Sequence, residues 1–324
     1  MSQNIAVVGC GYWGKNLVRN FSELNALHTI CDCDEENLNA IQEQYPKQSC
    51  TSDYKSVLEN SDIDAVVLST PAATHYQLAK EAFLADKDVF VEKPIALHYR
   101  EGEELVSLSK EKDRILMVGH ILEYHPAVIK MKELLDSGEL GRINYIYSNR
   151  LNLGKFRTEE NILWSFAPHD ISVILYLLEE MPSEVTAHGG NYLNPNITDV
   201  TVTNLEFTSG VKAHIFVSWL HPYKEQKLVV IGDRKMALFD DVNPGNKLFI
   251  YNPKIDWIKR FPVSHPEEAL PVTYKEAEPL KSECSHFIDC LKTRSTPKTN
   301  GLKGLQVLQI LEACQESLRT NGNG

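Results

Sequence analysis

The sequence lacks the marks of a membrane-spanning or nucleic-acid-binding chain. No stretch reaches the roughly 20 consecutive apolar residues that a membrane-spanning helix needs. Acidic residues outnumber basic ones by 44 to 33, for a formal net charge of −11, which argues against the basic face that non-specific nucleic-acid binding requires. The first apolar run begins within about four residues of the N-terminus, which leaves no room for a signal peptide. We therefore expect no nucleic-acid partner, no membrane and a cytoplasmic location.

Cysteine is sparse and irregularly spaced. The seven cysteines are an odd number, and Cys31-x-Cys33 has neither the spacing nor the partners of a zinc knuckle. His120, Glu123 and His125 are close in sequence, but their spacing matches no standard ligand motif. The sequence therefore predicts reduced thiols and no metal site.

A glycine-rich turn follows the first apolar run. Three glycines have the G-x-G-x-x-G spacing and precede a helical pattern. In this motif the first glycine permits a sharp turn, the second lets the backbone approach a pyrophosphate, and the third lets the helix pack on the strand. These features predict a dinucleotide site, against the alternative of a glycine-rich turn in a flavodoxin-like or other α/β fold. The turn residues assigned to the cofactor are Gly9, Gly11, Tyr12, Trp13 and Gly14.

An acidic residue ends the second apolar run. Asp32 stands where a carboxylate can accept both ribose hydroxyls of a dinucleotide. The extra phosphate of NADP would meet this carboxylate and the acidic residues 34–36 without a paired cation, so the sequence favours NAD. The alternative interpretation of residues 34–36 is that they cap and charge the start of the next helix.

Two patterns of predicted secondary structure divide the chain into two parts. Strand and helical patterns alternate over the first 120 residues, which predicts a parallel sheet with helices on both faces. Longer β-type runs then dominate, which predicts a mostly antiparallel sheet. We predict an α/β fold with a Rossmann domain at residues 1–122 and an α+β domain with a large open sheet at residues 123–324. The C-terminal helices could pack back on the first domain.

Glu92-Lys93-Pro94 ends a buried strand at the carboxyl edge of the parallel sheet, where ligands bind in such folds. A lysine there can hydrogen-bond a substrate hydroxyl and a developing oxyanion. Pro94 could fix the turn through a cis bond. The alternative is a surface ion pair between Glu92 and Lys93.

Ser69-Thr70-Pro71 follows another strand in the same way, and its small residues would let a cofactor ring or ribose lie close. His75, four residues after Pro71, is a candidate cofactor contact. The alternative is a residue at the start of a helix with no further role.

A histidine follows a proline in the second half of the chain. Pro168 suits the first turn of a helix predicted at about 169–179, and Asp170 favours the positive end of that helix. His169 would then project from a helix start, where its ordinary pKa near neutrality suits a general base. The alternative is a histidine satisfied in an interdomain interface.

Taken together, these motifs resemble the glucose–fructose oxidoreductase/inositol dehydrogenase (Gfo/Idh/MocA) family over nearly the whole chain. Val118-Gly119-His120, the segment 218–222 and the segment 300–305 add to the resemblance. The resemblance implies a nicotinamide-binding Rossmann domain and a second domain with an open sheet. It also implies a sugar or cyclitol substrate in the cleft between the domains, and homodimers or homotetramers formed through the exposed face of the second sheet.

The resemblance assigns roles residue by residue. Lys93 falls on the catalytic lysine of the family and His169 on its catalytic histidine. The other residues assigned to the cofactor, NAD, are Ser69, Thr70, Pro71, His75, Glu92, Lys93 and His120. The residues assigned to the substrate are Lys93, Arg150, Asn152, Arg157, Trp164 and His169. Lys155, Arg150 and Arg157 are candidate cations for a diphosphate, and each could equally be a solvated loop charge.

One departure from the family narrows the function. Many members have an aspartate four residues before the catalytic histidine, where this chain has Ser165. That departure resembles the branch of the family that acts on nucleotide sugars, and the segments 152–157 and 161–164 resemble UDP-N-acetylglucosamine 3-dehydrogenases. Such enzymes make a 3-keto sugar for a partner aminotransferase, toward lipopolysaccharide or related glycans. The alternatives are a dehydrogenase or ketoreductase of another nucleotide sugar, such as UDP-N-acetylglucosaminuronate, or of a free sugar or cyclitol. A non-catalytic NAD-binding sensor is a further alternative.

Overall fold

A computed structural model describes residues 3–154, 156–157, 160–265 and 268–321. The backbone divides into two compact units. Residues 1–124 and 277–309 form the first unit, and residues 125–276 and 310–324 form the second. The segment 277–309 thus groups with the N-terminal part of the chain, an arrangement that the sequence left open for the C-terminal helices.

The first unit contains a parallel sheet with the spatial order β3-β2-β1-β4-β5-β6. Its strands are β1 (Ile5–Val8), β2 (Leu27–Cys31), β3 (Ser49–Thr51), β4 (Ala65–Leu68), β5 (Asp88–Glu92) and β6 (Leu116–Gly119). The predicted parallel sheet is confirmed. The sequence missed β3, because three partly exposed residues carry too little apolar pattern to indicate a strand.

The second unit contains a larger sheet with the order β16-β13-β12-β11-β7-β10-β9-β8. Its neighbouring strands pair antiparallel, except for the parallel pair of β7 and β10, so the predicted mostly antiparallel sheet is confirmed. Its strands are β7 (Ile143–Leu151), β8 (Glu184–Gly190), β9 (Val200–Glu206), β10 (Lys212–Ser218), β11 (Glu225–Gly232), β12 (Met236–Asp240), β13 (Leu248–Tyr251) and β16 (Leu270–Pro271). A separate ribbon pairs β14 (Lys254–Ile258) with β15 (Phe261–His265).

Helices complete both units. The α-helices of the described residues are α1 (Gly14–Glu23), α2 (Glu35–Gln44), α3 (Tyr54–Glu59), α4 (Ala72–Leu84), α5 (Tyr99–Glu111), α6 (Pro126–Asp136), α7 (Ile162–Leu178), α8 (Pro279–Thr293) and α9 (Gly301–Asn321). A short 3₁₀ helix spans Ile121–Tyr124. Within the described part of the chain, no helix has both the length and the apolar character needed to cross a bilayer.

Helix α8 closes the core of the first unit. Phe287 on α8 makes edge contacts with Phe21 on α1 and Phe90 on β5, with ring centroids 6.5 and 5.5 Å apart. The apolar side chains Leu280, Cys284, Ile288 and Leu291 of this helix are buried in the same core. Burying a large apolar side chain contributes about 1.5–3 kcal/mol, so α8 stabilises the sheet that carries the glycine-rich turn.

One face of the second sheet is buried and the other is partly open. On β10, Ala213, Ile215 and Val217 are buried, whereas the alternating His214 and Phe216 are only half-buried. Helix α7 packs against β7, β9 and β10. The period-2 alternation therefore places one set of side chains in the core and leaves a second set of aromatic and apolar side chains on the other face.

The start of α7 corrects the sequence prediction. The helix begins at Ile162 rather than near His169, and Pro168 lies inside it. Its start is set by Asn161, whose side chain accepts a hydrogen bond from the Trp164 amide at 3.2 Å, as an N-cap residue does. Pro168 costs one backbone hydrogen bond, which is offset by the burial of 11 of the 17 helix residues.

Candidate active site

Two glycines of the turn after β1 are required by the packing of the backbone. Gly9 has a φ of +87°, in the region that favours glycine. A Cβ atom on Gly14 would lie 1.8 Å from the Gly9 carbonyl oxygen. The Ser69 hydroxyl, at the end of β4, donates to the same carbonyl at 2.6 Å. The neighbouring strand end therefore fixes the turn.

Gly11, the second glycine of the motif, is explained by the space in front of it. A Cβ atom on Gly11 would have no described protein atom within 4 Å, so packing within the protein does not demand glycine there. Helix α1 begins three residues later, and no side chain caps its first turn. Open backbone in front of uncapped helix N–H groups suits a pyrophosphate, so these residues fit the dinucleotide predicted from the sequence.

Asp32 lies directly after β2 and is buried. Its Oδ2 accepts the Cys10 amide at 2.7 Å, and its Oδ1 accepts the Asp34 amide at 2.9 Å. Burial and the hydrogen bond with Asp32 raise the pKa of the Cys10 thiol to about 12. The Asp34 carboxylate caps α2 by accepting the Glu36 amide at 2.9 Å. Asp32 is thus hydrogen-bonded to the glycine-rich turn, whereas Asp34 is the N-cap residue of α2.

His75 braces two loops at the carboxyl edge of the sheet. Its Nδ1 lies 2.8 Å from the Pro94 carbonyl oxygen, and its Nε2 lies 2.9 Å from that of Thr70. Burial lowers the pKa of His75, although both carbonyls favour the protonated ring. Both ring nitrogens are therefore engaged by backbone, and the predicted cofactor contact stays a prediction. Pro71 is the N-cap residue of α4.

Glu92, Lys93 and Pro94 lie at the end of β5. The Lys93–Pro94 peptide bond is cis, as the sequence suggested. The Glu92 Oε1 accepts the Trp13 indole N–H at 2.6 Å, so Glu92 is linked to the glycine-rich turn as well as to its neighbour Lys93. Burial raises the pKa of Glu92 to about 7, against the lowering effects of the Trp13 hydrogen bond and the Lys93 charge.

His120 and two unpredicted carboxyl groups lie in the same unit. His120 is 1% exposed, and burial, with the positive charges of Lys93 and Lys303, lowers its pKa to about 3. Burial raises the pKa of Glu123 to about 7 and that of Glu283 well above its ordinary value. One signal in the sequence indicates Glu283: it is a charged residue directly before Cys284, among the apolar residues of α8.

His169 and Ser165 occupy one face of α7 in the second unit. Four residues separate them, which places them one helical turn apart on the same side. Ser165 is buried and His169 is half-buried. The residue that stands in place of the family's common aspartate is therefore on the side of the helix that carries His169.

Arg150 forms a buried ion pair. Its Nε donates to Asp170 Oδ2 at 2.9 Å and its Nη2 to Oδ1 at 3.1 Å, and the Ser148 hydroxyl donates to Oδ1 at 2.6 Å. Because α7 begins at Ile162, Asp170 lies in the middle of the helix and balances Arg150 instead of the helix dipole. The predicted substrate contact of Arg150 stays a prediction.

The remaining substrate candidates lie around the segment between β7 and α7. The Asn152 amide donates to the Ser218 carbonyl at 3.1 Å, and the Trp164 indole donates to Gln315 at 3.1 Å. Arg157 is exposed, with its Nε 3.1 Å from Glu160. Lys155 lies outside the described residues. Among its described residues, the segment thus offers one exposed cation, Arg157, near an indole that is held by Gln315.

The first unit has the architecture of a dinucleotide-binding Rossmann domain. The strand order 3-2-1-4-5-6, the glycine-rich turn after β1 and the acidic residue after β2 define this class. A family model described as an oxidoreductase family with an NAD-binding Rossmann fold matches residues 3–120. The GFO/IDH/MocA C-terminal domain matches residues 128–238. The chain belongs to this oxidoreductase family, which confirms the predicted family and the predicted cofactor, NAD.

Known relatives span almost the whole chain. Two curated proteins of Bacillus subtilis (strain 168) are each 26% identical to it. The uncharacterised oxidoreductase YrbE matches over 96% of this chain and 93% of its own length, and scyllo-inositol 2-dehydrogenase (NAD(+)) over 97% and 93%. The solved structure of UDP-N-acetylglucosamine 3-dehydrogenase GnnA from Acidithiobacillus ferrooxidans has a TM-score of 0.86 at 21% identity and covers 99% of both chains. That likeness shows the shared fold.

The glycine-rich turn makes a testable contrast. We expect Gly14→Ala to destabilise the fold by about 1–3 kcal/mol or more, because the new methyl group meets the Gly9 carbonyl. We expect Gly11→Ala to keep the melting temperature and to weaken NAD⁺ binding about tenfold. Thermal unfolding and NAD⁺ titration of both variants test this. Equal behaviour of the two variants would contradict the assignment.

Asp32 should set the cofactor preference. We expect Asp32→Ala to weaken NAD⁺ binding about tenfold or more, because bonds to a charged acceptor are worth about 1.5–3 kcal/mol. The loss for NADP⁺ should be smaller, since a repelling charge also disappears. Dissociation constants of both cofactors provide the measurement. Asp34→Ala is the matched control, and a preference that changes equally in both variants would remove Asp32 from this role.

Proposed function

We propose that this oxidoreductase uses NAD⁺ to oxidise C3 of a nucleotide sugar, UDP-N-acetylglucosamine, to the 3-keto form. The observation that carries the proposal is the presence of two candidate residues, each placed within its own unit. Lys93 stands at the carboxyl edge of the Rossmann sheet, and His169 stands on α7 with Ser165 in place of the family's aspartate. The resemblance of the segments 152–157 and 161–164 to UDP-N-acetylglucosamine 3-dehydrogenases supports the choice of substrate.

The roles of the residues follow from their chemistry. NAD⁺ would be held by the glycine-rich turn and Asp32, and it would supply the acceptor for the hydride of the sugar carbon. His169 takes the proton of the 3-hydroxyl group as general base, and Lys93 donates a hydrogen bond to the same oxygen. Arg157 is the exposed cation that we assign to the diphosphate of the substrate.

A place in metabolism follows from the product. A 3-keto sugar is the substrate that an aminotransferase converts into an amino sugar, so we propose coupling to such an enzyme toward lipopolysaccharide or a related glycan. We propose the cytoplasm as the location of this chemistry.

The direct test is NADH formation. Purified protein is mixed with NAD⁺ and, in parallel, with UDP-N-acetylglucosamine, UDP-N-acetylglucosaminuronate, scyllo-inositol and free N-acetylglucosamine. We expect absorbance at 340 nm to rise with UDP-N-acetylglucosamine, and addition of an aminotransferase with an amino donor to increase the yield. Turnover with inositol alone would favour the activity named for the B. subtilis relative. No turnover with any of the four would favour the NAD-binding sensor.

Lys93 and His169 give the first prediction of this function. We expect Lys93→Met and His169→Asn each to lower turnover by ~10²–10⁴-fold, as general acid–base groups do, while NAD⁺ binding persists. The His169→Asn enzyme should regain part of its rate at high pH, where solvent hydroxide replaces the missing base. Steady-state rates from pH 6 to 10 supply the measurement. An unchanged rate and pH profile would exclude the residue concerned.

The open face of the second sheet leads to a prediction about the oligomeric state. Half-buried aromatic and apolar side chains such as Phe216 and Val229 lie on that face, so we propose that it forms a homodimer or homotetramer. We expect Phe216→Glu to lower the molecular mass seen in sedimentation while the NAD⁺ affinity of the first unit is kept. A wild-type chain that sediments only as a monomer at micromolar concentration would refute the proposal.

A further inference from the structure

The glycine-rich turn and the end of β5 are joined by one side-chain hydrogen bond. Trp13 lies between Gly11 and Gly14, and its indole Nε1 donates to Glu92 Oε1 at 2.6 Å. Seventy-nine residues separate the two partners in sequence. Glu92 directly precedes Lys93, so the segment that faces the cofactor phosphates is bonded to the residue next to the lysine.

The end of β6 lies close to the Glu92 carboxyl group. A Cβ atom on Gly119, at the end of β6, would lie 2.8 Å from Glu92 Oε2 and 2.9 Å from its Cδ. The Lys93 backbone lowers the pKa of the Glu92 carboxyl group and so favours its ionised form. The carboxyl group therefore lies between the glycine-rich turn and the end of β6, and its position leaves no room for a side chain at residue 119.

Glu92 and Lys93 interact with each other and with several buried titratable groups. Glu92 and Lys93 attract each other, and their coupling is reciprocal, because a carboxylate that is stabilised by an ammonium group stabilises that group equally. Lys93 also acts on two buried histidines whose pKa values are lowered by burial, so both are neutral near pH 7. The titratable groups that interact with Glu92 or Lys93 within this unit are His75, His120, Glu283 and Cys284. Burial raises the pKa values of Glu283 and Cys284 and so favours their uncharged forms.

We propose that Glu92 is a positioning residue for Lys93: its carboxylate, held by Trp13, favours the ammonium form of Lys93 and ties that residue to the cofactor turn. The inference rests on the proposed function for the role of Lys93 in catalysis. It adds a residue that acts through the lysine, and it assigns the Trp13 indole to Glu92.

The titration of Lys93 tests the proposal without any substrate. The full-length protein, labelled with [ε-¹³C]lysine and saturated with NADH, is titrated from pH 7 to 11 by NMR, and Lys93→Met identifies the resonance. We expect Glu92→Gln, which can still accept the Trp13 hydrogen bond, to lower the titration midpoint of Lys93 by about one unit. Trp13→Phe should lower it by less, because the negative charge remains but is less firmly held.

Glu104→Gln is the matched control, since Glu104 pairs with Lys80 on the surface of the same unit, and we expect it to leave the midpoint of Lys93 unchanged. A Lys93 midpoint in Glu92→Gln equal to that of the wild type would overturn the proposal. If circular dichroism shows that Glu92→Gln does not fold, Trp13→Phe decides, and an unchanged midpoint in that variant overturns the proposal.

Kinetics provide a second readout. Once a substrate is known, Glu92→Gln should lower kcat while KM for the sugar changes less than about threefold, and it should cause no further loss in the Lys93→Met background. An equal further loss there would show that Glu92 does not act through Lys93, which overturns the proposal. Absence of turnover in the wild type would refute the proposed function and leave the NMR titration valid.

Discussion

The contact between Gly14 and the Gly9 carbonyl is the constraint on which the cofactor site depends. A backbone approach that leaves 1.8 Å for a Cβ atom fixes where α1 begins relative to β1. The same turn receives the Ser69 hydroxyl from β4, presents the Cys10 amide to Asp32, and carries Trp13 toward Glu92. Three strand ends are therefore positioned from one turn of six residues, which explains why absent side chains are as important here as the polar groups.

Much of the fold could be predicted because its elements have strong local patterns. The alternation of strands and helices over the first 120 residues and the later series of strands are both present in the structure, since a buried β-type run or an amphipathic stripe is visible in a single segment. The start of α7 could not be predicted in this way. Pro168 is typical of a first helical turn, but tertiary burial kept the helix intact around it, and the true start depends on Asn161. Strand β16 has only two residues, too few for any period.

The candidate site shows the same division. Gly9, Asp32 and Lys93 could be chosen from sequence because their positions at strand ends carry the chemistry. The contacts around those residues could not be predicted. Pairings such as Trp13 with Glu92 join distant segments, and no fixed distance in sequence indicates them. Asp170 illustrates this difference. Its neighbours in sequence suggested an interaction with a helix dipole, whereas the structure pairs it with Arg150 on β7.

The buried carboxyl groups of the first unit take up protons on folding. Glu92 and Glu123 have pKa values of about 7, and that of Glu283 lies well above its usual range, so the folded chain holds protons that the unfolded chain releases above about pH 4.5. Below about pH 6.5 this uptake is countered by His75 and His120, whose lowered pKa values keep them neutral in the folded chain while they are protonated in the unfolded chain. The contribution of Glu92 and Glu123 to the free energy of unfolding falls as the pH rises from about 4.5 to about 7, the interval between their unfolded and folded pKa values.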